Sequence, residues 1–165
     1  MKRLAWFIAL AMQCTGATAH EVSADDWVRT GERVHGGYGS LIAPGVRIGL
    51  KARLRLSAEP RDFDVTYLDG AATPCACVVD GILIATAAGP GQGSLRVAAE
   101  RAQADAFGVV PIRHRKTGAG LRFTNPYSAF AALGTINRDF DALGRHLAVM
   151  QAPAERWYRV ERLLN

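Results

Sequence analysis

The chain has 165 residues, enough for one domain with a core, and 49% of them are hydrophobic against 21% charged, which excludes a disordered composition. The formal net charge of +5 is mild. The basic clusters (Arg53, Arg55 and Arg61; Arg113, Arg115 and Lys116) carry no interleaved aromatics and no binding motif, so solvated faces rather than a nucleic-acid partner are expected.

The chain opens on Lys2 and Arg3, an apolar run from Leu4 to Met12 too short to span a bilayer, and Ala17-Thr18-Ala19 at the position a signal peptidase reads. Residues 1–19 are therefore expected to be a secretory signal, with the mature domain running over 20–165 and residing in the periplasm or outside the cell. Removal of the signal takes the charge from +5 by two to +3. No later stretch is long and apolar enough to cross a membrane, so no membrane anchor is expected.

Ser23 is placed to cap a helix whose first turn carries Asp25 and Asp26, and Gly36-Gly37 ends it. A second helix is predicted over Leu41–Leu56 from the spacing of Leu41, Ile42, Val46, Gly49, Leu50 and Leu54, with Pro44 tolerated in its first turn. Gly45 and Gly49 lie one turn apart and permit another backbone to approach, the expected neighbour being the third helix. Phe63, Val65 and Tyr67 alternate with polar residues and predict a half-buried strand, closed by Asp69-Gly70. The third helix is predicted from about Pro74 to Ala85, apolar nearly all round and so buried, with Cys75 and Cys77 in its first turn. A glycine-rich loop (Gly89–Gly93) leads to a short strand at Leu95–Val97. Strands at Ala106–Arg113 and Leu121–Thr124 flank a hairpin made by HRKTGAG. Short helices are predicted over Tyr127–Leu133, Asp139–Met150 and Pro153–Leu164, the last of which also reads as a strand over WYRVERLL. The order of elements predicts an α+β fold with N-terminal helices packed on a mostly antiparallel sheet.

Chemistry concentrates in two places. His35 sits at a helix end before two glycines, where it suits either a ligand or a surface residue. Cys77 and Asp80, three apart, share a helical face. A helix N-terminus lowers a thiol pKa, which favours Cys77 as a thiolate. Asp80 reads either as a functional acid, accepting the His35 N–H, or as a partner of Arg47. Cysteines two apart rarely reach good disulfide geometry within one segment. Burial, a metal or a disulfide to a partner therefore remain open for Cys75 and Cys77. The GPGQGS loop could cradle an anion but lacks the lysine of a phosphate loop and the spacing of a dinucleotide loop.

With these motifs in view, the chain resembles the FmdE family of formylmethanofuran dehydrogenase proteins. HGGYGSLIAPGVRIG follows the family's H-G-H-L-G-P-x-x-V-L-G-x-R-M-G block at His35, Gly36, Gly39, Gly45, Arg47 and Gly49. ACVVDGILIATAAGPGQGS follows its cysteine block at Cys77, Asp80, Gly81, Ile82, Thr86, Gly91 and Gly93. The resemblance runs from Asp25 to Phe123, with a family-like ending at Glu155–Val160. It implies an α+β domain, a homodimer, and a pocket for zinc or another divalent metal at His35, Cys77 and Asp80, supported by Arg47, Thr86, Gly91 and Gly93. The chain departs from the pattern where the second histidine is Gly37, the second cysteine Ala88, the lysine Gln92 and the asparagine Ser94. The resulting expectation is an exported accessory domain that binds a metal or small ligand and partners a periplasmic redox or cofactor system. The alternatives are an enzyme, hydrolase or redox, using Cys77 with His35, and a degenerate dimeric scaffold.

Overall fold

Three glycines bring two helices together until their backbones touch, and the sheet is laid beside this pair. The structure, a computed structural model, describes residues 22–164, so the expected signal over 1–19 lies outside the described residues. Helix α1 (Ala24–His35) starts where Ser23 accepts a hydrogen bond from the Asp26 N–H. It stops at Gly36, which takes the left-handed conformation (φ 87°) and donates to the Glu32 carbonyl. Helix α2 (Ile42–Leu56) follows after a short loop and buries most of its N-terminal half, Ile42 to Val46, together with Ile48, Gly49 and Ala52.

Strand β1 (Phe63–Asp69) buries Phe63, Val65 and Tyr67 on one face, as the alternation requires. Helix α3 (Val78–Thr86) then crosses back to strand β2 (Leu95–Val97), which pairs with β1 in parallel, Val65 opposite Leu95. Strands β3 (Ala106–His114) and β4 (Gly120–Pro126) form the hairpin, and β3 pairs antiparallel with β1, Phe63 opposite His114. Helices α4 (Tyr127–Asp139) and α5 (Ala142–Gln151) follow, and strand β5 (Arg159–Leu163) closes the sheet against β4. The order β2-β1-β3-β4-β5, antiparallel except for the first pair, is the expected α+β arrangement.

Three boundaries differ from expectation. Helix α3 begins at Val78 instead of Pro74, so Cys75 and Cys77 precede it. Their sulfurs are joined in a disulfide. Side chains two apart on a helix point about 200° away from each other, so a bond between them requires non-helical backbone before Cys77. Helix α4 runs on past Gly134 to Asp139, because Leu133 and Ile136 bury their side chains on the same stripe as Ala129 and offset the weak helix propensity of that glycine. The chain from Pro153 is a single tight turn (Ala154–Arg156) and then a strand, since WYRVERLL finds the free edge of β4, with Val160 opposite Phe123.

The α2–α3 contact is where the expectation for Gly45 and Gly49 is met. A Cβ on Gly45 would run into the Val78 carbonyl, one on Gly49 would lie 2.6 Å from the Ala85 Cβ, and one on Gly81 would collide with the Ile42 carbonyl. At the other end of the core, fully buried Trp157 donates from Nε1 to the Val149 carbonyl, and Asn125 Nδ2 donates to the Trp157 carbonyl, which ties α5, β4 and β5 together. Between α1 and α5 lies a buried polar pair, Tyr38 and His146, hydrogen-bonded at 2.6 Å between the hydroxyl and Nδ1. Burial pushes the Tyr38 phenol well above its usual value and holds the His146 imidazole below its ordinary 6.5.

Two outcomes follow from this packing. Gly81→Ala should lower stability by about 1–3 kcal/mol, because backbone cannot give way as a side chain does. Gly134→Ala, where a Cβ meets nothing within 4 Å, should raise it by about 0.5–1 kcal/mol through helix propensity. Urea denaturation of both variants checks the pair. For His146 the unfolded chain takes up its proton near pH 6.5 while the folded chain does so only at lower pH. Stability should therefore be level above about pH 7 and decline as pH falls below about 6.5. His146→Gln should flatten that part of the profile, measured as the urea midpoint between pH 7.5 and 5.5.

Candidate functional site

The loop into α2, the segment before α3 and one stripe of α4 line a common cleft, and the end of α1 meets the first turn of α3. His35 is the last residue of α1 and Asp80 the third of α3, so their side chains reach across the gap between the two helices. His35 Nδ1 lies 2.6 Å from Asp80 Oδ2, with side chains 31% and 30% exposed. A carboxylate only accepts, so this contact places the imidazole proton on Nδ1 and leaves Nε2 as the remaining ring position. Asp80 also sits in the first turn of α3, where the helix dipole favours an anion.

A cleft of about 300 Å³, whose lining includes neither His35 nor Asp80, is built from the segments that follow α1 and precede α3. Gly39, Ser40 and Leu41 form one wall, Pro74, Cys75 and Cys77 the second, and Phe130, Leu133, Gly134 and Asn137 of α4 the third. Ser40 spends its polar groups on α4: its Oγ donates to the Leu133 carbonyl, and its N–H donates to Asn137 Oδ1 at 3.0 Å. What remains for a ligand is an apolar surface with the disulfide in it. Cys77 is 7% exposed and caps the N-terminus of α3, while Cys75 is half-buried.

The expected site residues divide into two groups. Asp80 bonds to His35 rather than to Arg47, while Cys77 lines the cleft without either Asp80 or His35. Arg47 instead donates from Nη1 to the Val149 and Ala152 carbonyls at 2.7 and 2.6 Å, closing the C-terminal end of α5. Thr86 Oγ1 donates to the Ile82 carbonyl and accepts from the Ala88 N–H, which finishes α3. Gly91 and Gly93 belong to the tight turn at Pro90–Gln92, where Gly93 takes φ 61° and donates to the Pro90 carbonyl before the chain enters β2. These residues build the route from α3 to the sheet and do not line the cleft. The α4 stripe was not anticipated, although Phe130, Leu133, Gly134 and Asn137 recur at helical spacing and could have been read as one face.

The expectation of a free thiolate at Cys77 is corrected by the Cys75–Cys77 bond. The same bond bears on the zinc or other divalent metal that the resemblance implies. Metals take thiolate sulfur, and both sulfurs here are bonded to each other. That leaves one imidazole nitrogen and one carboxylate, and among the described residues no three His, Cys, Asp or Glu side chains group as a metal site. The second family cysteine position, Ala88, is fully buried. The donor set as it stands does not fit a divalent metal.

Both motif blocks thus converge on one cleft, and the comparison with known families covers the same stretch. The family described as "FmdE, Molybdenum formylmethanofuran dehydrogenase operon" matches residues 34–159. The chain belongs to the FmdE family. The FmdE match begins beside His35 and ends at the first residue of β5, so it takes in the cleft and strands β1 to β4. Among curated proteins none gives a significant match.

In this FmdE domain the His35–Asp80 contact is partly wet, so it should contribute modestly. A double-mutant cycle with His35→Ala and Asp80→Ala, read by urea denaturation at pH 7, should return a coupling of about 0.2–1 kcal/mol. A coupling several times larger would mean that the pair is shielded from water.

Proposed function

We propose that this FmdE-family protein is an exported accessory domain that binds a small, mainly apolar ligand in the cleft between Gly39–Leu41, Cys75–Cys77 and α4, and works beside a redox or cofactor system. The observation that carries this reading is the cleft of about 300 Å³, at the small end of ligand pockets, in which Ser40 is already paired with α4 and whose walls include residues of both family motif blocks. The basic start, short apolar run and Ala17-Thr18-Ala19 support export. A disulfide within the chain agrees with an oxidising compartment. The homodimer implied by the family belongs to the same reading, and sedimentation of the purified protein reads it out. A hydrolytic role for Cys77 with His35 has less support, because a sulfur in a disulfide is not a nucleophile.

Indole is a suitable probe of the cleft. Titration followed by amide NMR should move resonances of Gly39–Leu41, Cys75–Cys77 and residues 130–137. Gly134 lines the cleft, and a Cβ added there meets no other atom within 4 Å, so Gly134→Leu should fold and fill the space. Indole binding should weaken at least about tenfold in that variant, the equivalent of roughly 1.4 kcal/mol. Absence of indole binding, or binding indifferent to Gly134→Leu, would overturn the reading.

A further inference from the structure

We infer that the Cys75–Cys77 disulfide is an exchange site for small apolar thiols that enter the cleft, an inference that rests on the ligand reading above. Three independent features of the bond point this way. First, it closes a loop with only Ala76 between the cysteines. A cross-link restrains the unfolded chain in proportion to the logarithm of its loop length, so this one restrains it little. The anchoring of the surrounding segment comes from elsewhere: Thr73 Oγ1 donates to the Phe107 carbonyl, the Ala72 N–H to the Tyr127 hydroxyl, and the Val79 N–H to the Ala76 carbonyl. Second, both cysteines line the cleft, facing Leu41, Phe130 and Leu133. Third, the two sulfurs are not equivalent. Cys75 is half-buried and open to attack from the cleft, whereas Cys77 is nearly enclosed at the N-terminal cap of α3. A thiolate released there is stabilised by the helix dipole, which makes Cys77 the better leaving group.

The exchange proceeds in two steps. The thiolate of a bound ligand attacks Cys75 Sγ. The Cys75–Cys77 bond breaks, a mixed disulfide forms between ligand and Cys75, and Cys77 leaves as thiolate. A second ligand thiolate then attacks the ligand sulfur of that mixed disulfide, forming the ligand disulfide and releasing the Cys75 thiolate. The two ligand thiols supply two electrons and two protons; the protein disulfide is reduced to a dithiol and the thiols are oxidised to one disulfide. Run backwards, the dithiol reduces an apolar disulfide in the cleft.

The test uses full-length oxidised protein mixed with benzyl mercaptan or, in parallel, with 2-mercaptoethanol, each rate being divided by that of the same thiol with a free small disulfide to remove differences in intrinsic reactivity. After acid quenching and alkylation, the tryptic peptide of residues 62–96 holds both cysteines and separates them from Cys14. Benzyl mercaptan should reduce the pair at least about tenfold faster than 2-mercaptoethanol, since binding raises its concentration beside the bond. Gly134→Leu should remove most of that preference, bringing the normalised rate of benzyl mercaptan down toward that of 2-mercaptoethanol. Cys77→Ser treated with dibenzyl disulfide should carry the benzylthio group on Cys75. A pair that stays oxidised in both thiols overturns the inference, and if indole still binds, the ligand reading survives. Equal normalised rates, indifferent to Gly134→Leu, overturn it as well, and if indole also fails to bind, the ligand reading falls with it.

Discussion

The contact of α2 with α3 sets the position of almost everything else near the cleft. At Gly45 and Gly81 the neighbour is main chain, the Val78 and Ile42 carbonyls, and at Gly49 it is the Ala85 methyl. At Gly45 and Gly81 no side chain separates the helices, so the spacing there cannot relax by a rotamer change. With α3 held at that distance, its first turn carries Asp80 to His35 at the end of α1. The same placement brings Cys77 against the start of α2 and the α4 stripe. A modest shift of α3 would open both the histidine contact and the cleft.

The cleft itself depends on a second set of constraints, polar rather than steric. Ser40 is buried and satisfies both its hydroxyl and its N–H on α4, through the Leu133 carbonyl and Asn137 Oδ1. These bonds fix the loop before α2 to the helix that forms the opposite wall. They also take up the Ser40 hydroxyl and N–H that would otherwise greet a ligand. The disulfide is the one reactive feature left in an apolar surface, and its place just outside α3 follows from the incompatibility of a two-residue cross-link with helical backbone.

The C-terminal third of the chain shows how a motif residue serves the fold instead of the site. Arg47 faces the end of α5 and takes two of its carbonyls, a charge-assisted closure that suits a helix C-terminus. Trp157 and Asn125 extend the same seam toward β4 and β5. Conversely, the buried Tyr38–His146 pair joins α5 to the loop after α1, so the two ends of the helical layer are coupled through neutral groups in a dry setting. Burial is what keeps both groups uncharged.

Local signals were enough to read much of this molecule from its residues. Ser23 with Asp25 and Asp26, and Gly36 after His35, define α1 by capping chemistry that needs no tertiary partner. Alternation in Phe63, Val65 and Tyr67, and the polar HRKTGAG segment, define strands and a hairpin by period and turn preference. The two glycines of α2 announced a close approach, because only a missing side chain permits one. The pairing of Asp80 with His35, 45 positions apart, rather than with Arg47 depends on where three helices end in space. So does the union of Phe130, Leu133 and Gly134 with the cysteine segment. The start of α3 at Val78 depends on a covalent bond that helical periodicity cannot register. The final strand formed because β4 offered an open edge, and an apolar-polar ending takes whichever backbone partner the fold leaves free.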